Sequence, residues 1–486
     1  MKAYRYVYGL LLAVSVASCS DLIEEEALTF KTPSEMNSED GVNAMLTNAY
    51  GALQQYGYYK QDFIMQAEMR ADYMNGRGSY NAVGDYRIDA RNIGRITDCW
   101  DAIYVGVNRA NIVIGSVGDL AIDEAVKKQV IAEAKVLRAL NYYNLVRTWG
   151  AVPMPLSIAS SLDELGIPKS SEEVVYTQII KDLTEAVNSE ALVESFPTDQ
   201  RGRATIYAAK ALLADVYLTI GEYQKSADEA EDIIGAKRFT LQSELAQIFS
   251  PEPNDVHTGE IWSITWIRLG NDGNRLLSFM HNSSMGYSRA GWRVLLGNLD
   301  CPILNDWEPA DLRRNFNMYS TPEELAVLSA AEPMLFKKFI DSNGAGQDAH
   351  GNDQPIYRYA DVLTVYAAAE CMANSGPTTE AYEALNKVRR RGYGVDITTP
   401  NVDVDYSALS QDEFMDAVWT ERAREFIMEG KRWYDMKRMS EAKAIALINA
   451  ANKQENFTTD DWLYPIPQSE IDNNDGLTNA DQNPGY

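Results

Sequence analysis

A mainly α fold, built from helical pairs with long irregular insertions, is predicted by three observations. Apolar residues recur at helical spacing through long stretches of the 486-residue chain. Twice a helix-length segment runs into a glycine turn and out into a second helix, over Arg203–Ile234 and over Tyr359–Arg391. Strand-type alternation is confined to Ile261–Ile267, where Trp262, Ile264 and Trp266 alternate with other residues, so one short strand with both tryptophans facing the core is expected.

Taken in order, a helix is expected from Ser38, with Ala44, Leu46, Ala49, Tyr50 and Leu53 apolar. Tyr56-Gly-Tyr-Tyr59 is an aromatic cluster to which the sequence assigns no role. Residues 74–95 hold four glycines and no helical period, and read as loop. Trp100–Ile114, with Asn108-Arg-Ala-Asn111, is again helical. Val126, Val130, Ala134, Leu137 and Leu140 mark one face of a long helix that Gly150 and Pro153 end. In the first pair, Leu213, Ala214, Tyr217, Gly221 and Tyr223 resemble a tetratricopeptide helix pair, with Ser226 where that repeat places Ala. Residues 268–300 break the pattern with Gly270, Gly273, Gly286, Gly291 and Gly297, and a long irregular stretch of that kind is commonly functional. Ser410-Gln-Asp-Glu413 reads as a capping box. The helix it opens is expected to carry Glu421, Arg424, Glu425, Glu429, Arg432 and Asp435, opposite charges within reach of one another along its surface. Phe426, Trp433 and Tyr434 lie among them, which points to an ion-pair network held against a core. Gly430 costs such a helix roughly 1 kcal/mol, so a bend or close contact is expected there.

Composition excludes several functions. A formal charge of −26 repels nucleic-acid phosphates and argues against a polybasic membrane-surface mode. It is a weak argument against a polyanionic sugar, because one basic groove can override the average. Cys19, Cys99, Cys301 and Cys371 form no C-x-x-C pair, and His257, His281 and His350 are scattered, so no zinc site is expected. No phosphate-binding loop, dinucleotide fingerprint or zinc-protease motif is present. Asn271-Asp-Gly-Asn274 lacks the spacing of a calcium loop, and Gly286-Tyr-Ser-Arg-Ala290 departs from a nucleophile elbow at its last position. No cofactor, metal or catalytic residue is therefore expected, although paired carboxylates for glycoside hydrolysis remain open among 70 acidic residues.

Lys2 and Arg5 precede an apolar run, Tyr6–Val16, too short to cross a bilayer, and residues 1–18 read as a signal peptide. Val16-Ala-Ser-Cys19 resembles a lipobox, which implies acylation of Cys19, with 19–37 a lipidated tether and 38–486 the helical-repeat domain. Acidic residues just behind Cys19 resemble the tag that sends such lipoproteins to the cell surface.

The stretch Glu421–Arg438, the closing Leu463-Tyr-Pro-Ile-Pro-Gln-Ser-Glu-Ile471 and Gln482-Asn-Pro-Gly-Tyr486, and the string Ala132–Pro153 resemble the SusD/RagB family of outer-membrane nutrient-binding lipoproteins. The C-terminal motifs contain nothing that looks catalytic and read as structural. The resemblance implies a tetratricopeptide-like scaffold that binds oligosaccharide and delivers it to a partner TonB-dependent transporter at the outer membrane. A peptide-capturing relative and a surface-anchored hydrolase are the alternatives. Sugar rings offer apolar faces that Trp and Tyr match, with polar groups for the hydroxyl rim. The two irregular segments supply that mixture, and Tyr80, Asn81, Tyr86, Tyr287, Arg289 and Trp292 are the candidate carbohydrate-binding residues. Replacing Cys19 by Ala is expected to release the protein from membranes, as cell fractionation would read; retention in the membrane pellet would overturn the anchor.

Overall fold

The computed structural model describes residues 37–486, apart from 89–92, 160, 162–163, 253–254, 256, 271 and 345. The leader, Cys19 and all of the tether but its last residue lie outside the described residues. Helices dominate: α1 Glu39–Gly51, α2 Asp62–Arg70, α3 Ile93–Ser116, α4 Glu124–Trp149, α5 Glu172–Asn188, α6 Ile206–Ile220, α7 Tyr223–Gly235, α8 Tyr359–Ala373, α9 Thr379–Gly392, α10 Gln411–Glu425, α11 Arg432–Lys437 and α12 Glu441–Ala450. Strands are short. β1 (Met74–Gly76) and β3 (Leu295–Gly297) form one antiparallel pair, β2 (Glu260–Ile264) and β4 (Gln354–Arg358) another.

The spine is α4. Asp123 caps it, its carboxylate accepting from Ala125 N and Val126 N, and Gly150 ends it at φ +73°, a conformation glycine takes without strain. Beyond Glu133 nearly every side chain is buried, because α1, α3, α5 and α6 all pack around it. Several polar residues there bond to one another across helices. Arg138 grips Asp182 on α5 with two 2.7 Å bonds and donates to Asn111 Oδ1 on α3 at 2.9 Å. Asn111 in turn donates to Pro155 O at 2.9 Å, and its neighbour Arg109 to Asn48 O at 2.8 Å. The Asn-Arg-Ala-Asn string is thus a three-helix clasp.

Both helical pairs form as their sequences predict. Gly221 turns α6 into α7 at φ +81°, and α7 packs on both α6 and α8. The Ser226 hydroxyl, buried in the α6–α7 contact, donates to Ala214 O at 2.7 Å, so it fits without an unpaired donor. The single predicted strand also forms, as β2. It ends at Ile264, so Trp266, though buried at 2 % exposure, lies beyond it; within β2 Trp262 is 2 % exposed, but Ile261 and Ser263 are also buried, at 6 % and 2 %, so β2 is covered on both faces instead of one.

The C-terminal motifs close the far end of α4. Tyr464 N donates to Thr148 O at 3.0 Å and Trp149 Nε1 to Pro465 O at 3.0 Å. Asn483 Nδ2 reaches Trp149 O at 2.8 Å and Tyr464 O at 2.7 Å, while Gln482 exchanges two bonds with the backbone of Ile466.

One expectation is corrected around Gly430. The capping box at Ser410 forms as read, but α10 stops at Glu425 and α11 starts at Arg432, with Met428 and Gly430 at φ +66° and +73° between them. The break is held by Glu68 of α2, whose buried carboxylate accepts from Gly430 N at 2.6 Å, Met428 N at 3.0 Å and the Tyr73 hydroxyl at 2.7 Å. A Cβ on Gly430 would lie 2.8 Å from Ile64 Cδ1, so the close contact exists as well. Most of the charged side chains consequently pair with other segments and not along the helix. Glu421 accepts from Arg313 (2.7 Å) and Arg389 (2.8 Å). Glu425 takes Arg358 (2.8 Å) and Arg391, with Arg313 at 3.4 Å. Glu429 takes Lys338 (2.7 Å) and Arg358 (2.8 and 3.0 Å). Arg432 grips Asp72 through two bonds of 2.9 and 2.7 Å.

Glu421, Glu425 and Glu429 are all 4 % exposed or less. Burial pushes their carboxyls up, yet the surrounding cations outweigh it and hold each below its ordinary value, Glu425 well below. A carboxyl with a depressed folded value contributes stability that is complete above its ordinary value and is lost as pH falls through the folded one. Glu425→Gln is expected to cost about 3–5 kcal/mol in chemical denaturation at pH 7, because it removes an anion shared by three buried guanidiniums, those of Arg313, Arg358 and Arg391. That difference from the parent protein should shrink as pH drops below the ordinary glutamate value of 4.5, since glutamine cannot titrate. A pH-independent gap would refute the ionised assignment.

Candidate functional site

The two irregular segments meet through a ladder the sequence does not announce. Met74 pairs with Gly297, Asn75 with Leu296 and Gly76 with Leu295. Because β1 and β3 run antiparallel, the chain leaving β1 and the chain entering β3 lie at the same end. Arg77–Tyr80 therefore stand beside Trp292–Val294. The 56–62 turn, the first two turns of α3 with Gly94, Arg95 and Asp98, and Arg275 and Phe279 supply the remaining walls of a groove of ≈ 700 Å³, within the size range of small-ligand sites.

Two aromatic rings stand open in it. Tyr56 is 42 % exposed and Trp292 40 %; among the described residues the only other aromatic this open is the C-terminal Tyr486. Each is fixed from behind. Trp292 N donates to Ser278 O at 2.7 Å, and its ring meets Phe279 edge-on at 4.7 Å. Gly291 permits the chain's close approach, since a Cβ there would sit 2.4 Å from Ser283 N. Arg293 takes φ +53°, a strained conformation for a side-chain-bearing residue, next to the exposed ring. Tyr56 owes its position to Gly57, where a Cβ would lie 2.1 Å from Asp98 O. That approach sends Tyr58 and Tyr59 into the core, their hydroxyls accepting from Asn144 Nδ2 at 2.6 and 3.0 Å. The Tyr56 hydroxyl donates to Asp348 Oδ2 at 2.7 Å. The Arg275 guanidinium lies 5.0 Å from the Tyr56 ring and 5.1 Å from the Trp292 ring, bridging them.

Tyr80 forms the floor at 6 % exposure. Its hydroxyl accepts from Gln61 Nε2 at 2.8 Å and donates to Asp62 Oδ1 at 3.3 Å, and the Arg95 guanidinium covers its ring at 3.8 Å. Burial pushes the Asp62 carboxyl up to about 6 and, with Asp62 adding to it, the Tyr80 phenol up to about 12.

Of the sequence-chosen residues, then, Tyr80 and Trp292 come together. The others stand elsewhere. Tyr86 is 5 % exposed, its hydroxyl donating to Arg70 O at 2.6 Å and its ring packed edge-on against Phe457 at 5.0 Å, so it belongs to the core and not to a ligand surface. Asn81 donates to Asp85 Oδ2 at 2.8 Å. The Tyr287 hydroxyl is taken by Glu324 and its ring by Tyr319, and Arg289 is exposed outside the groove lining. Arg95 escapes a sequence reading that starts the helix at Trp100, whereas α3 begins at Ile93. Arg275, Gln61 and Asp62 carry no sequence signal of their own; only the fold brings them to the groove.

Ser288 of the elbow-like string meets His350 Nε2 at 2.6 Å. The pair is buried (3 % and 0 % exposed), and His350 Nδ1 faces the Asn274 carbonyl at 2.9 Å where a triad needs a carboxylate. Cys99, Cys301 and Cys371 are buried and unpaired with one another. Among the described residues no cluster of His, Cys, Asp and Glu is placed to hold a metal, and no helix is long and apolar enough to cross a membrane.

Comparison with known proteins places this architecture. The profile of the SusD family matches residues 310–486, and one described as starch-binding associating with outer membrane matches 23–218. SusD-like protein P2 of Formosa agariphila is 28 % identical over 522 residues, covering all of both chains, and a SusD-like protein of Bacteroides ovatus is 26 % identical over 468 residues, covering 87 % of this chain and 80 % of its own. In three dimensions a SusD homolog of Bacteroides thetaiotaomicron superposes with a TM-score of 0.79 at 21 % identity, covering 94 % of this chain and 99 % of its own. Surface glycan-binding protein A of Bacteroides fluxus gives 0.77 at 23 %, and a laminarin binding SusD-like protein 0.75 at 22 %, each over 92 % of this chain and 99 % and 100 % of theirs. With both profiles, the relatives and the fold in agreement, the chain belongs to the SusD/RagB family.

Proposed function

We propose that this protein captures oligosaccharide in the Tyr56–Trp292 groove at the outer membrane, anchored through lipid on Cys19, and passes it to a partner TonB-dependent transporter. One observation carries the reading: the two open aromatic rings, where nearly all the other described aromatics are buried or half-buried, line one groove together with polar groups. Exposed rings cost solvation unless something covers them, and the C–H face of a sugar is a fitting cover. Gln61, Asp62, Asp98 and Ser79 stand around them as partners for a hydroxyl rim. The names borne by two structural relatives, a surface glycan-binding protein and a laminarin binding protein, support the ligand class, and the profile described as associating with outer membrane supports the compartment. The groove acts by equilibrium binding, with no bond made or broken. Transfer to a transporter follows from the family resemblance.

A binding screen over glycans and peptides, followed by calorimetry, tests this. Loss of one stacking ring is expected to cost about 1–2 kcal/mol, a roughly 5- to 30-fold weakening, for Trp292→Ala and for Tyr56→Ala. Tyr287→Ala, away from the groove, should leave affinity unchanged. Equal affinity in all three variants would remove the site, peptide hits alone would favour peptide capture, and shortened glycan products would favour hydrolysis.

A further inference from the structure

The groove's charge departs from that of the chain. Arginines Arg77, Arg95 and Arg275 line it against aspartates Asp62 and Asp98, in a protein whose acidic residues outnumber basic ones 70 to 44. Behind the lining the carboxylates that answer two of these arginines are shared with other groups. Arg77 shares the single carboxylate of Glu332 with Arg293, which reaches it at 3.0 Å. Arg275 pairs with Asp348 at 3.1 Å, but that carboxylate also accepts the Tyr56 hydroxyl.

Arg95 differs from both. Its guanidinium lies flat on Tyr80 and donates to Ser79 Oγ at 3.0 Å, and among the described residues it makes no ion pair within 4 Å. A guanidinium stacked on a ring keeps its edge N–H groups in one plane, the geometry that meets a carboxylate or sulfate in a bidentate way. It is held about the groove floor, between the open rings and the start of α3, so an anion bound there would sit beside a stacked sugar ring. A neutral sugar offers this cation only hydroxyls. A charged one offers it a full partner in a partly desolvated place, where the attraction is stronger than at an open surface.

We propose, building on the glycan-capture reading, that the groove selects acidic sugars, with Arg95 taking a carboxylate or sulfate substituent while Tyr56 and Trp292 cover the ring faces. Selectivity then arises from a local cationic floor inside an anionic molecule. The net negative charge of the chain disfavours the same ligand over most of the remaining surface.

The test sets the mature protein against length-matched neutral oligosaccharides (laminari-, xylo- and agaro-oligomers) and acidic ones (oligogalacturonates and sulfated carrageenan oligomers) by calorimetry at low and high salt. The best binder should be acidic and should weaken as salt rises. Arg95→Gln should weaken it roughly tenfold with an unchanged denaturation midpoint and remove most of the salt dependence. The uronate and sulfate arms identify which anion is preferred. Binding confined to neutral sugars, or acidic binding indifferent to both salt and Arg95→Gln, overturns acid selectivity and leaves glycan capture standing if Trp292→Ala still weakens it. Failure of every sugar to bind, or binding blind to Trp292→Ala, overturns the capture reading and this one with it.

Discussion

The rest of this structure depends on a row of buried carboxylates. Glu421, Glu425 and Glu429 follow one another at intervals of four and are sealed from water. Each such charge costs several kcal/mol to bury, a cost offset only when cationic partners arrive with good geometry. Here the partners come from distant parts of the chain: Arg313, Lys338, Arg358 at the end of β4, and Arg389 and Arg391 on α9. None of these segments can dock late or loosely without leaving a guanidinium or a carboxylate unpaired. The network stitches the second helical pair and the non-helical segment before it into one arrangement, more by forbidding alternatives than by adding net stability.

The same region fastens the groove. Glu68 binds the backbone at Met428 and Gly430, and Asp72 grips Arg432, so the 62–76 segment is bolted to the turn between α10 and α11. That segment begins with Asp62 of the groove and ends in β1, whose pairing with β3 brings Trp292 alongside Tyr80. Lys453 completes the attachment, its buried ammonium donating to the carbonyls of Met69, Ala71 and Met74 at 2.7, 2.7 and 2.9 Å. A chain of specific bonds therefore runs from the C-terminal signature to the groove wall, and residues far from the groove hold the wall's position.

Much of the fold was legible from local pattern. α4, the two helical pairs and the capping box at Ser410 rest on periodicity, glycine turns and a cap, each a property of a few consecutive residues. The network was legible as a network, but its wiring was not: spacing along one helix suggests partners on that helix, whereas Glu421 pairs with residues 108 and 32 positions away. Gly430 shows why. Helical spacing around it is intact, and only the carboxylate of Glu68, 362 residues distant, decides that the backbone turns left-handed there. For the groove, composition pointed to two segments that do meet along it, since aromatic and glycine content travels with the loop. It could not separate Trp292 from Tyr287 or Tyr80 from Tyr86, because which ring faces outward is settled by the β1–β3 register and by what Arg70, Phe457 and Glu324 happen to fill. Tyr56 is the sharpest instance, one of three tyrosines in four residues, set apart from the others by the contact between Gly57 and Asp98.

The manner in which the open rings are held bears on how the proposed capture would work. A ligand that must order its own site spends binding energy on side-chain entropy, roughly 0.5–1.5 kcal/mol for each side chain immobilised. In this groove that cost falls on folding instead. Tyr56 is tied by its hydroxyl to Asp348, Trp292 by its backbone to Ser278 and by its ring to Phe279, and Arg95 by Tyr80 and Ser79. The strained backbone at Arg293 is of a piece with this, a local penalty carried by the surrounding fold so that the neighbouring ring stays turned outward. Two rings and a few polar groups give only modest affinity, and prior rigidity lets that small contact area act in full while dissociation stays easy. Under the proposed hand-over, easy dissociation is what the second step requires: a site deep and tight enough to retain its sugar would defeat that step.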